Sequence, residues 1–427
     1  MRNVILGVAC LLAITVTYAP AQQASQILTL QDCIRLAESA PSVVSIARQE
    51  REKAAREVSQ ARAGYLPQSY LANGFTYNSP LLYDRTTISF LPLNGIREYA
   101  LLFNISQEFD TSGRLRAEMS KAHAAEALAS TGIVLSQRDL KRAVSASYYQ
   151  ALLTRRIVRI LQEGLSESQL FEKRVTQLFE GGEAAQADVI KASAQVAFLE
   201  QALNTAQLNE NLANQELASF WTSDVAQPLE LVDVLDDSLP VPAEDSSQSA
   251  PFLKRPEFDL FDAQQRDFQA DARRARADLL PQLGAVFQYG IDSTAVRIND
   301  RGYAAFVNLT IPIFDWNKAR SAMQQARINE LQVEQTREIS KRIFSKEYQS
   351  ALARAKQLYA QISLTRQQTT LSEEDLRMSQ IRYEGGEGLA LDVVTAQNQL
   401  SQARTNYYTA IVDYLNAKAD LEVASGK

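Results

Sequence analysis

Two aspartates stand out by position. Asp188 and Asp392 lie 204 residues apart, each six residues after a Gly-Gly pair and each followed by valine. An acid in the first turn of a helix faces the positive end of the helix dipole and stabilises it. Little else in the chain could do chemistry. His123 is the only histidine and sits in an alanine-rich helical stretch that reads as helix surface. Cys33 has no cysteine or histidine around it with which to pair or to hold a metal ion. The many carboxylates fall at spacings typical of solvated helix faces and i,i+4 pairs. There is no Ser/His/Asp set, metal-ligand cluster or phosphate loop, so neither an enzyme nor a cofactor or metal site is expected.

The elements that position these aspartates recur. "LFEGGEAAQADVIKASAQV" from Leu178 has a near copy in "RYEGGEGLALDVVTAQNQL" from Arg382. "RAGYLPQ" from Arg62 returns 214 residues later as "RADLLPQ", and Glu108–Asp110 (EFD) returns 205 later as Ile313–Asp315 (IFD). Landmarks in the same order with drifting offsets indicate a duplicated unit. The first copy is placed at 22–225 and the second at 256–427. An acidic, proline-containing linker without clear periodicity joins them at 226–255.

Each copy follows one plan. A helix comes first, from Thr29 to about Ala63 with Pro41 as a start or kink, and from about Glu257 to Ala277. Thr29 and Asp32 form a capping-box pattern, and each helix ends at "LPQ" because proline disfavours helix in the residue before it. The period then changes to two, as in "SYLANGFTYN", "YALLFNISQ", "LGAVFQYGI" and "YAAFVNLTI", giving two strands of roughly nine to ten residues per copy. That is the length of a tilted membrane-spanning strand. Polar or turn-rich loops join them. Very long helices follow, Arg114 to about Glu180 and Ser321 to Glu384, each about 100 Å at 1.5 Å per residue. Leu140, Val144, Tyr148, Ala151 and Val158, and then Ile343, Ala351, Leu358 and Ile362, recur at helical spacing as a coiled-coil-like stripe. The pairs Gly181-Gly182 and Gly385-Gly386 reverse the chain, and a helix of about 35 to 40 residues returns.

Bulk properties set the compartment. The 427-residue chain has a formal charge of −6 and no basic cluster, which argues against a nucleic-acid partner. Residues 1–21 read as a secretory signal peptide: a basic Arg2, a short apolar run and "APA" before Gln22. Cys10 lies in a lipobox-like "GVAC", but cleavage there would leave half the apolar run behind, so lipidation is not expected. No later stretch holds about 20 apolar residues, which excludes a transmembrane helix and leaves a β-barrel open. Four strands cannot hide their edges in lipid, so a membrane-embedded sheet would need copies of itself.

"TLQDCIRLAESAPSV", "ARAGYLPQ", "IPIFDWNKARSAMQQA" and "RYEGGEGLALDVVTAQNQL" together resemble the outer membrane efflux proteins, the TolC family. The resemblance covers essentially the whole mature chain, in both copies. It implies a mainly α fold with a β-barrel part: a homotrimer in which four strands per protomer build a 12-stranded barrel in outer-membrane lipid. Below it would hang a 12-helix periplasmic tunnel. It also implies the exit duct of a tripartite efflux pump or type I secretion system, with a periplasmic adaptor (membrane fusion) protein and an inner-membrane transporter as partners. The Gly-Gly turns become hairpin tips, where Phe179, Glu180, Glu183, Tyr383, Glu384 and Glu387 are candidates to meet the adaptor.

In a trimer a lumen-facing Asp392 would form a ring of carboxylates that favours cations. The family pattern makes Asp392 part of an acidic constriction and joins Tyr383 to Asp188 in a lock. Thr395 stands where a second constriction aspartate is expected, Gly388 where a gate arginine is, and Ala187 replaces a hydroxyl residue. The expected gate at Asp188, Tyr383, Asp392 and Thr395 is therefore looser or differently built. The alternative class is a soluble periplasmic coiled-coil scaffold, which the helices alone would support and the paired strands oppose.

Overall fold

A computed structural model describes residues 27–79, 97–241 and 250–426. The leader, including Cys10, most of the loop between the first two strands and part of the linker fall outside these residues. Among the described residues seven α-helices and four strands follow one another as below. α1 (Leu30–Ser39) and α2 (Val43–Ala63) precede β1 (Gln68–Tyr77) and β2 (Arg97–Phe109). α3 (Arg114–Glu180) and α4 (Gln186–Ala218) form the first long hairpin. α5 (Pro256–Ala277), β3 (Gln282–Ser293), β4 (Arg301–Thr310), α6 (Lys318–Glu384) and α7 (Ala390–Ala424) repeat the plan.

The first helix is two helices, because the chain around Pro41 leaves helical geometry and restarts at Val43. Thr29 caps α1 in a reciprocal box with Asp32. α3 and α6 both run 67 residues, about 100 Å at the usual rise. Their starts are capped alike. The Asp110 carboxylate accepts from the Leu115 and Arg116 amides, and that of Asp315 from the Asn317 and Ala319 amides. Both N-cap residues are left-handed, Gly113 at φ 82° and Asn317 at φ 61°. The returning helices have 33 and 35 residues, the first slightly shorter than the periodicity suggested and the second as expected.

The strands form one antiparallel sheet in the order β1-β2-β3-β4. β2 and β3 have 13 and 12 residues, longer than expected, because the pairing between the two copies extends them beyond each apolar run. The hairpins share one register. Gln68 faces Ser106 in the first and Gln282 faces Thr310 in the second, 214 and 204 residues later. One face carries Leu71 and Phe75, Leu101 and Phe103, Phe287 and Tyr289, and Val307 and Leu309, all exposed. The other carries mostly small and polar residues besides Tyr70, Leu102, Val286 and Phe306, among them Asn104, whose amide oxygen accepts from Gln288 at 2.7 Å. An exposed apolar face of this extent marks a surface meant for lipid or protein. Among the described residues no helix is long and apolar enough to cross a membrane.

The main core lies midway along the helices, where α1, α3 and α7 meet the linker. The linker is not a loose tether. Leu28 bridges to Leu231, Leu235 is fully buried, and the Tyr148 hydroxyl donates to Val232 O at 2.7 Å. The expected stripe holds on α3, where Leu140, Val144, Tyr148, Ala151 and Val158 are buried. On α6 it does not: Ile343 is exposed, and Ala351, Leu358 and Ile362 are only half-buried. α6 has α5 and α7 to pack on, whereas α3 is enclosed by α1, α2, α4, α5 and α7.

Candidate functional site

The two hairpin tips are built by the same hydrogen bonds. At the first, Gly181 N donates to Gln177 O, Gly182 N to Phe179 O and Glu183 N to Leu178 O. At the second, Gly385 N donates to Ile381 O, Gly386 N to Tyr383 O and Glu387 N to Arg382 O. Only the second glycine of each pair is left-handed: Gly182 at φ 76° and Gly386 at φ 75°. Gly181 and Gly385 are right-handed helix ends at φ −75° and −76°. The positive φ expected of the pairs therefore belongs to one residue in each. Gly388 has a separate reason to lack a side chain, since a Cβ there would lie 3.0 Å from Tyr383 N. The position where the family pattern expects an arginine is tight, and a side chain there would have to push the Arg382–Tyr383 backbone aside by a few tenths of an ångström.

Phe179, Glu180, Glu183, Glu384 and Glu387 are exposed at the tips, as expected. Tyr383, also expected to be exposed, is buried at 8%. It packs edge-on against Phe171, ring centres 5.2 Å apart, in a second core with Val175, Leu376 and Val393. Phe179, its counterpart in the other copy, remains half in solvent, so the duplication is broken here. The Tyr383 hydroxyl is buried and makes no hydrogen bond, so within one protomer the expected lock to Asp188 is not formed. Burial, and then the nearby Asp188 charge, push the phenol above its usual range.

Asp392 accepts from its own Leu389 amide at 3.3 Å, which closes the start of α7. It is exposed, as is Thr395 one turn on. Asp188 is half-buried in the first turn of α4. The structure thus joins Tyr383 and Asp188 in one neighbourhood and leaves Asp392 and Thr395 on a solvent-exposed face of α7. No group of acids, histidines and cysteines among the described residues is arranged to hold a metal ion.

A polar layer behind the tips went unread in the sequence. Ser168 Oγ donates to Gln397 Oε1 at 2.8 Å, a buried contact between α3 and α7. Gln195 on α4 and Asn398 on α7 exchange two amide bonds of 2.7 and 3.2 Å. Arg404 on α7 reaches Glu163 on α3 and Glu373 on α6 at 3.5 and 3.1 Å. The buried bonds hold one hairpin to the other, whereas the ion pairs are half-exposed and contribute little. The legible signal was a polar residue inside an apolar helical stripe: Ser168 before Phe171 and Val175, Gln397 between Val393 and Leu400.

The chain matches the outer membrane efflux protein family over residues 34–222 and 253–427. No curated protein matches it by sequence. Solved structures share its fold. The Campylobacter jejuni CmeC outer membrane channel is 16% identical with a TM-score of 0.81, covering 93% of this chain and 85% of that one. The Vibrio cholerae outer membrane protein VceC is 18% identical with a TM-score of 0.77, covering 93% and 96%. The open state of the Neisseria gonorrhoeae MtrE outer membrane channel is 19% identical with a TM-score of 0.79, covering 93% and 88%.

Proposed function

The chain belongs to the outer membrane efflux protein family, and on that premise we propose that it works as a homotrimeric exit duct of a tripartite efflux pump or type I secretion system. Its place is the outer membrane, and it is a channel protein rather than an enzyme. One observation carries the trimeric duct: a four-stranded sheet whose outer edges are unpaired among the described residues, with an apolar face running across every strand. In water that face is unfavourable, and in lipid an open edge leaves backbone groups without partners. Joining copies edge to edge removes both problems. Four strands from each of three copies would close a barrel on lipid, above helices that reach about 100 Å into the periplasm.

In this reading the tips, with Phe179, Glu180, Glu183, Glu384 and Glu387 outermost, meet a periplasmic adaptor, and an inner-membrane transporter supplies the energy. The entrance is held by the packing of Tyr383 on Phe171 and by the amides behind it rather than by salt bridges. Asp392 and Thr395 line the passage, with Asp392 repeated around the axis as a carboxylate ring.

The test is single-channel conductance of detergent-purified protein in planar bilayers, wild type against Asp392→Asn, with and without Mg²⁺. Defined channels whose Mg²⁺ block weakens in the variant are expected. Equal block in both would reduce Asp392 to a helix cap. Absence of channels, together with a detergent complex of one protomer's mass, would overturn the duct in favour of a scaffold.

A further inference from the structure

The single histidine, His123, takes no part in the duct, and the fold places it in a cleft. Ser120, His123 and Ala124 on α3 and Arg266, Gln269 and Arg273 on α5 line a space of about 270 Å³. No carboxylate is among these residues, in a chain whose formal charge is −6. Arg266 and Arg273 stand on one side of α5, two turns or about 10 Å apart. Neither has a carboxylate within ion-pair distance among the described residues. Cations beside them are paired: Lys121 reaches Asp271 at 2.6 Å and Arg274 reaches Glu118 at 3.7 Å. His123 lies 3.9 Å from Glu126, which Arg51 already holds at 3.2 Å. Gln269 donates to Glu330 at 2.7 Å, which anchors that wall of the cleft.

The duplicated plan does not require these cations. The matching positions of α2, 214 residues earlier, are Glu52 and Ser59. Nor is the cleft a surface kept for another copy. Near the sheet the helices pack in the row α2, α3, α5, α6, so α3 and α5 are the middle pair. A copy joined at either end of the row leaves their shared groove open. Its depth is also defined. α3 starts just after β2, and α5 ends just before β3. At 1.5 Å per residue, Arg273 sits about 6 Å from the sheet-side end of its helix, and His123 and Arg266 about 14–17 Å. Phe314 and Trp316, edge to face with ring centres 4.7 Å apart, are exposed immediately before α6. Exposed aromatics at the border of a membrane-embedded sheet lie at the headgroup layer. Arginine stems extend along apolar surface and carry the guanidinium up to that layer.

We propose that this cleft binds a phosphate group, supplied by an anionic phospholipid headgroup of the periplasmic leaflet. A guanidinium matches two phosphate oxygens at once. Two guanidiniums, the imidazole N–H of His123 and the Ser120 hydroxyl supply donors with no opposing charge among the lining residues. Basic pockets between helices at a membrane surface take lipid headgroups in this way. Such a headgroup fastens the α3–α5 pair, which joins the two halves of the chain, to the leaflet above it. The site goes beyond the duct and needs only the outer-membrane location.

Native mass spectrometry of the full-length, detergent-purified protein with added phosphatidylglycerol is the test. Wild type is compared with Arg266→Gln/Arg273→Gln, and Arg320→Gln/Arg327→Gln on α6 controls for the loss of two charges. Wild type and the control should retain the lipid, and the α5 variant should lose about tenfold or more in apparent affinity. Complex mass and thermal unfolding should be the same in all three. Inorganic phosphate, titrated calorimetrically, is the second probe. Phosphate binding that needs the two arginines, without retention of phosphatidylglycerol, would overturn the lipid as the source and keep the phosphate cleft. Equal retention by wild type and the α5 variant, or binding of neither probe by wild type, would overturn the site. None of these results bears on the duct, which conductance tests separately.

Discussion

Gln195 and Asn398 face each other across the two hairpins and exchange both amide hydrogen bonds, at 2.7 and 3.2 Å. They lie on α4 and α7, the two helices that return from the tips. Any movement of one hairpin against the other near the entrance must break this pair and the neighbouring bond from Ser168 to Gln397.

Replacing Gln195 or Asn398 by alanine should therefore loosen the entrance. Leaving a partly buried amide without its partner costs about 1–3 kcal/mol. The expected outcome is a larger or more frequently open conductance in planar bilayers, with faster amide exchange in α7 near Asn398. Conductance identical to wild type in both variants would mean that the assembled entrance does not depend on this pair.

Tyr383→Phe separates packing from hydrogen bonding. The hydroxyl is buried without a partner, so its removal is expected to leave stability unchanged or raise it by up to about 1 kcal/mol. Thermal unfolding in detergent is the measurement. Tyr383→Ala, which removes the ring from Phe171, should lose about 3–5 kcal/mol locally. A channel opened by the phenylalanine variant would show instead that the hydroxyl finds a partner in the trimer.

The two glycines of each tip should respond differently. Gly182→Ala and Gly386→Ala force a Cβ into left-handed geometry and should cost about 1–2 kcal/mol each. Gly181→Ala and Gly385→Ala meet only ordinary contacts at 3.5 and 3.4 Å and should be close to neutral or slightly stabilising. Proteolytic nicking at the tips reads the difference, and equal sensitivity of all four variants would contradict it.

Burial pushes the Cys33 thiol up to about 12. The folded-state value lies above that of an unfolded thiol, about 8.5. Its contribution to stability is therefore complete below that pH and is lost as the pH rises toward 12. At pH 8 the thiol is protonated and fully enclosed, so iodoacetamide should label it only as the protein unfolds. Rapid labelling of the native protein would place Cys33 in an open site.

Much of this architecture was legible because it rests on period and punctuation. The change from 3.6 to 2 at "LPQ", the Gly-Gly reversals and the recurring landmarks fix four strands, two long hairpins and a duplicated order, since these follow from local backbone geometry. Pro41 likewise marked the break between α1 and α2. Which residues of a stripe are buried was not local. Ile343 and Val158 sit on similar patterns, yet one is exposed and the other enclosed, because α3 packs on five other helices and α6 on only two. The fates of Tyr383 and Phe179, each followed by Glu-Gly-Gly-Glu, diverge for the same reason: only Tyr383 packs on Phe171 from the other hairpin. The amide layer at Gln195, Asn398, Ser168 and Gln397 depends on side chains more than 200 residues apart meeting at hydrogen-bond distance. Sequence alone determined the elements and their repetition. Tertiary structure decided which of their faces are satisfied and which are left for a second copy, because burial is a property of neighbours and not of the residue itself.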